Sequence, residues 1–162
     1  MITFFTAKHE LHAPGHEFFR GERVPCFESP VRAAFVRDEL VARGHELRSP
    51  THDSSLLLRK VHADRYLGFL ESAWSRWVER DPANAKVQPF PSVWPVRTLR
   101  SDVEPADFIA RLGLYSMDNG TPLVAGTWEA VKAGADAAAS AAALLDTVAE
   151  GVFCATRPPG HH

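Results

Sequence analysis

The chain has 162 residues, enough for one domain or a large part of one. With 45% hydrophobic and 23% charged residues, it is not a disordered chain. Eighteen Lys and Arg against 20 Asp and Glu leave a net charge of −2, which gives no electrostatic footprint for nucleic acid, and no apolar run approaches the roughly 20 residues of a membrane-spanning helix. Met1 to Lys8 lacks the basic start and long apolar stretch of a signal peptide. Two cysteines, Cys26 and Cys154, make no disulfide framework, so a cytoplasmic location is expected.

Ile2 to Phe5 are apolar and β-prone, and a first strand is expected there. Lys8 to Ser29 is rich in His, Gly and Pro, follows neither period, and reads as a long loop, of a length that in compact domains is usually functional or disordered. Ser29-Pro30 reads as cap and first turn of a helix whose apolar stripe is Val31, Ala34, Phe35 and Val41. Gly44 ends that helix, and His45 to Arg48 makes a short strand. Asp53 or Ser54 caps a short helix over Leu56 to Leu58. From Ala63 to Arg80, Tyr66, Leu67, Leu70, Ala73, Trp74, Trp77 and Val78 recur at three and four and predict a core-facing helix, stopped by Asp81-Pro82. Five prolines fall between Asp81 and Pro105, a second long loop. Asp107 to Leu114 reads as a short helix. Gly126-Thr127 opens an alanine-rich last helix, closed by Gly151 before a buried-type strand over Val152 to Ala155. Strand, helix and strand in this order point to an α/β layered fold.

The sharpest chemical signal follows that last strand. In open α/β sheets, ligands bind beyond the carboxyl ends of strands, and here such an end delivers Arg157-Pro158-Pro159-Gly160-His161-His162. Two stiffening prolines and a permissive glycine present two adjacent histidines. Imidazole takes and returns a proton near neutrality, and two side by side resist being charged together. One is then suited to base and acid work and the other to stabilising charge. The alternative is an affinity-tag remnant or a surface loop, which the Pro-Pro-Gly after a buried strand argues against. His9, His12 and His16 in the first loop read as solvated rather than as a metal site, and Trp74 and Trp77 as core. Cys154 reads as inert, and nothing near Cys26 predicts a lowered thiol pKa.

The Arg157 to His162 segment resembles the His-His motif of the zinc-dependent histone deacetylase superfamily. Val61-His62-Ala63-Asp64-Arg65-Tyr66-Leu67 and Gly126-Thr127-Trp128-Glu129-Ala130 resemble two further segments of that family. Glu17 to Pro30, Trp94-Pro95-Val96-Arg97 and Gly113-Leu114-Tyr115 are similar to the bacterial acetylpolyamine amidohydrolases within it. The resemblance implies an arginase–deacetylase-type α/β fold, a parallel sheet flanked by helices. It also implies hydrolysis of acetyl-amides, with zinc as cofactor and potassium as a structural ion. By motif position His162 is the general base and then acid, and His161 its charged or hydrogen-bonding neighbour. The family's metal ligands lie after the His-His motif, so no metal ligand is expected within these residues.

Residues 1–162 are thus expected to be the N-terminal part of a single deacetylase domain continuing past the strand that carries the motif, and to be inactive alone. Ile109 stands where an acid is expected in the polyamine subgroup, and Asp118 is the candidate replacement against a cationic substrate tail. Phe19 is a second candidate substrate contact. With Phe90 and Trp94 it also marks the two long loops as the mouth of the site and part of a homodimer contact. The leading reading is a deacetylase of acetylated polyamines or other small acetyl-amines. The alternatives are an acetyl-lysine or other small-amide hydrolase of the same superfamily, and a non-catalytic binding or assembly module.

Overall fold

The computed structural model describes residues 1–96, 98, 102–120, 122–148 and 151–159. Three short strands form a parallel sheet: β1 (Ile2–Phe5) in the centre, β4 (Glu46–Arg48) on one side and β5 (Val152–Ala155) on the other. Parallel neighbours need crossover connections. Helix α1 (Val31–Ala42) lies in the connection from β1 to β4; α2 (Ser55–Val61), α3 (Asp64–Arg80), α4 (Phe108–Leu114) and α5 (Thr127–Val148) lie between β4 and β5. No helix of the described residues is long and apolar enough to cross a membrane.

The alanine run of α5 explains how that helix meets the sheet. Ala130, Ala133, Ala137 and Ala141 recur at three and four and are all buried. Their small side chains let Phe4 pack between Ala137 and Ala141, with Ile2, Leu144, Val152 and Cys154 around it. The loop after β4 is tied to the same helix. Ser140 Oγ accepts the backbone N–H of Thr51 (2.9 Å) and His52 (3.0 Å) and donates to the Asp136 carbonyl. Asp136 Oδ1 accepts both the backbone N–H and the hydroxyl of Ser54, each at 2.8 Å.

A second core joins α3 and α4 through Phe69, Ala73, Phe108 and Leu112. Trp77 stacks on Phe108 at 5.7 Å between ring centroids, and its indole N–H donates to the Val87 carbonyl (2.7 Å). That bond anchors the start of the proline-rich stretch, which opens with a 3-10 helix over Pro82–Lys86. Asp107 caps α4 by accepting the Ala110 N–H, and Ile109 packs against this core.

Two expectations fail in informative ways. Residues 8–29 are not irregular: a 3-10 helix over Ala7–Leu11 leads to an antiparallel hairpin, β2 (His16–Phe19) and β3 (Glu22–Pro25). Each side of its strands mixes polar and apolar residues, His16 with Phe18 and Glu17 with Phe19 in β2, which hides the period of two, and the turn is made by Arg20 and Gly21, both at positive φ (52° and 83°). The apolar stripe of α1 is not buried among the described residues. Phe35, Val31 and Val41 are exposed, while the small Ala33 is buried. Arg97 lies outside the described residues.

Candidate functional site

Strands β1 and β5 run side by side, with Phe5 opposite Ala155, so their carboxyl ends open at one place. The chain leaving β1 turns into the 3-10 helix, and the chain leaving β5 runs into Thr156-Arg157-Pro158-Pro159. Between them, the hairpin and the α3–α4 core, lies a cavity of about 360 Å³. Its position is that of ligand sites in α/β sheets generally, and its size suits a small molecule.

Arg157 holds the back of this cavity together. It is 3% exposed, an unusual burial for a charge. Its Nε and Nη2 donate to the two carboxylate oxygens of Glu28 (2.9 and 2.6 Å), and its Nη1 donates to the carbonyls of His9 (2.6 Å) and His12 (2.7 Å). The planar fork of the guanidinium matches this set of acceptors in a way an ammonium does not. One side chain thus joins the exit of β5, the exit of β1 and the segment that enters α1.

His12 lines the cavity, and its Nδ1 lies 2.9 Å from the hydroxyl of Thr127, which itself accepts the Val124 N–H. The close approach behind that bond requires glycine. A Cβ on Gly126 would stand 2.5 Å from the Leu11 Cβ and 2.6 Å from its carbonyl oxygen. Burial, and then the Arg157 cation, lower the His12 pKa to about 4, against a smaller opposing pull from Glu28. His9 is 1% exposed, with its ring edge-on to Phe5, and its pKa is likewise lowered by burial and then by Arg157. These two imidazoles are therefore not solvated loop groups; they are neutral parts of the interior.

Among the described residues, three carboxylates reach the cavity. Glu28 is neutralised by Arg157. Glu17, from β2, accepts the Cys26 thiol (3.1 Å) and the Phe27 N–H (3.3 Å), both neutral donors. Asp118 lies in the turn after α4, where its Oδ1 accepts the Gly120 N–H (2.8 Å). The facing wall is aromatic: Tyr115 lies 5.6 Å from Tyr66 and 4.8 Å from Phe69, centroid to centroid. Burial, reinforced by the hydrogen bond to Glu17, pushes the Cys26 thiol up to about 11, so this cysteine is a donor rather than a nucleophile.

Of the residues singled out from the sequence, Asp118 lines the cavity. Phe19 sits on the hairpin outside that lining, against Phe27 and under the Arg20 guanidinium. His161 and His162 lie outside the described residues, while Pro158 and Pro159, which lead to them, line the cavity. Sequence reasoning missed Glu17, Glu28, His12 and the role of Arg157. Only their place within recognisable motifs could have pointed to them. Among the described residues no group of three or more His, Cys, Asp or Glu is arranged to hold a metal ion.

Residues 26–162 match the histone deacetylase domain family. Across its whole length the chain is 39% identical to acetylpolyamine amidohydrolase 2 of Pseudomonas aeruginosa, covering 46% of that protein. It is 32% identical to the acetylpolyamine amidohydrolase of Mycoplana ramosa, covering 47% of it. The crystal structure of an acetylpolyamine aminohydrolase from Burkholderia pseudomallei superposes on all of the chain with a TM-score of 0.84 at 27% identity, again over 46% of that protein. The chain spans about half the length of the curated relatives it matches.

Proposed function

The chain belongs to the histone deacetylase family, and from that premise we propose that it forms the N-terminal portion of an amidohydrolase that removes acetyl groups from acetylated polyamines or other small acetyl-amines. The observation that carries the substrate class is the cavity beyond β1 and β5. It pairs an aromatic wall with carboxylates, Glu17 and Asp118 among the described residues. Aromatic faces and carboxylates together suit an aliphatic ammonium. Ile109, packed into the α3–α4 core, adds no charge there, so discrimination for a cationic tail falls on Glu17 and Asp118.

The role proposed for the described residues is recognition and positioning. Zinc, with potassium as a structural ion, is proposed for the enzyme at its relatives' length. His162 is proposed to take a proton from the attacking water and return it to the leaving amine, with His161 beside it stabilising charge. The cytoplasm is the proposed location. Of the aromatics expected at a homodimer contact, Phe90 packs against His16 and Phe18, and the exposed Phe19 and Trp94, with Phe27 beside Phe19, are proposed to form part of it.

The test is turnover by the full-length protein of N-acetylputrescine, of its neutral analogue N-pentylacetamide and of an acetyl-lysine peptide. Preference for the first is expected, and preference for the peptide would favour the acetyl-lysine reading. His162→Ala should cut turnover by about 10²–10⁴-fold while zinc stays bound. Loss of zinc in that variant would make His162 a ligand instead, and absence of any turnover by the wild type would favour a binding module.

A further inference from the structure

Glu17 owes its place to a residue that does not line the cavity. Gln88 and Phe90 each precede a proline, Pro89 and Pro91, and a following proline drives the residue before it into extended backbone. In an extended chain alternate side chains share a side, so Gln88 and Phe90 project together. Pro89 between them is fully buried. The other end of the stretch is fixed, because the Val87 carbonyl accepts the Trp77 indole N–H from the α3–α4 core.

What Gln88 and Phe90 meet is β2. The Gln88 amide oxygen accepts the backbone N–H of Gly15 (2.9 Å) and of His16 (3.2 Å), and its amide nitrogen donates to the His16 carbonyl (3.0 Å). The side chain therefore pairs with His16 much as a neighbouring strand would. Phe90 packs its ring against His16 (5.5 Å) and Phe18 (4.8 Å). His16 and Phe18 flank Glu17 in the sequence of β2, and Glu17, on the other side of that strand, reaches the cavity.

We propose that Gln88 is a positioning residue, which fixes where the Glu17 carboxylate stands in the cavity and so sets the preference for acetyl-amines that carry a positive charge. The substrate half of this rests on the deacetylase reading above; the positional half does not. The chain of support runs from Trp77 through Val87 and Gln88 to His16, and ends at a charge whose distance from the substrate ammonium decides its effect. A carboxylate displaced by even an ångström loses part of a charge-assisted contact, while the acetyl end of the substrate feels nothing.

Gln88→Met keeps the side-chain length and removes all three hydrogen bonds. In the full-length protein, KM for N-acetylputrescine should rise on the order of tenfold with kcat held, and kcat/KM for N-pentylacetamide should stay within about twofold. Cys26 reports the position without any turnover, since its thiol is tied to Glu17. Its alkylation by iodoacetamide should speed up several-fold in Gln88→Met, with Cys154 as internal control. An unchanged Cys26 rate overturns the proposal whatever the assay gives, as does an equal loss on both substrates. A faster Cys26 with unaltered charge discrimination leaves the positioning standing and overturns the cationic-substrate reading. Phe90→Leu loosens the same strand by a different contact and should show the same split. Failure of both variants to fold, read by circular dichroism, would make Gln88 and Phe90 supports of the core and overturn the assignment.

Discussion

Arg157 and Glu28, 129 residues apart, form a two-pronged ion pair with contacts of 2.9 and 2.6 Å, and the guanidinium side of it is almost wholly shut off from water. Such a pair is costly to break from one side, because the remaining charge stays buried without its partner. Glu28→Gln should lower the unfolding free energy by about 3 kcal/mol, measured by urea denaturation. Arg157→Lys should recover little, since one ammonium cannot serve two carboxylate oxygens and two carbonyls at once. A loss below about 1 kcal/mol in both would show that the pair does not hold the two strand exits together.

His12 makes stability depend on pH. Its folded pKa of about 4 lies below the ordinary value of 6.5, so between those limits the unfolded chain binds a proton that the folded one does not. Stability is then full above pH 6.5, falls as the pH drops toward 4 and levels below it, by up to about 3 kcal/mol from this group. His9 acts in the same direction. His12→Gln should flatten the pH 6.5 to 4.5 limb of a melting-temperature profile, and an unaltered slope would assign it to other groups.

Asp118 is expected to act on binding more than on chemistry. Asp118→Asn should raise KM for acetylated polyamines several-fold and leave neutral acetyl-amides unchanged in the full-length protein. Equal effects on both substrate kinds would remove Asp118 from the substrate site.

The hairpin aromatics give a test of assembly. Phe27 is 64% exposed and Phe19 is 47% exposed, with their rings 5.8 Å apart. If they meet a second copy, Phe19→Ser with Phe27→Ser should weaken the dimer by roughly tenfold or more. Sedimentation velocity at micromolar concentration reads this directly. A monomeric wild type would count against the contact.

Much of the scaffold is readable from residues alone. The three-and-four spacing from Tyr66 to Trp77 and the small residues of α5 each carry their structure locally, and those helices lie where the signals put them; that Asp107 caps α4 rather than starting it is seen only in the structure. The hairpin does not read, because its short strands mix polar and apolar residues on each side and their contacts reach Gln88 and Phe90, some 70 residues away. The stripe on α1 misleads for a related reason: an apolar period predicts a face, not what covers it. For the cavity lining, Asp118 was singled out by its chemistry, and Pro158 and Pro159 by their place after a strand. Glu17 and His12 were not, since what brings them to one cavity is tertiary contact that no spacing encodes.

The bonds from α5 to the loop after β4 change how that loop breathes. The amide hydrogens of Thr51, His52 and Ser54 are held by the side chains of Ser140 and Asp136, not by partners within the loop. A loop normally surrenders its amide protons to solvent on its own schedule, through local fraying. Here release waits on α5, since Ser140 Oγ is itself anchored to a carbonyl one helical turn earlier. In deuterium these three amides should fade together with the middle of that helix, so that a stretch without regular secondary structure keeps the time of the core beside it.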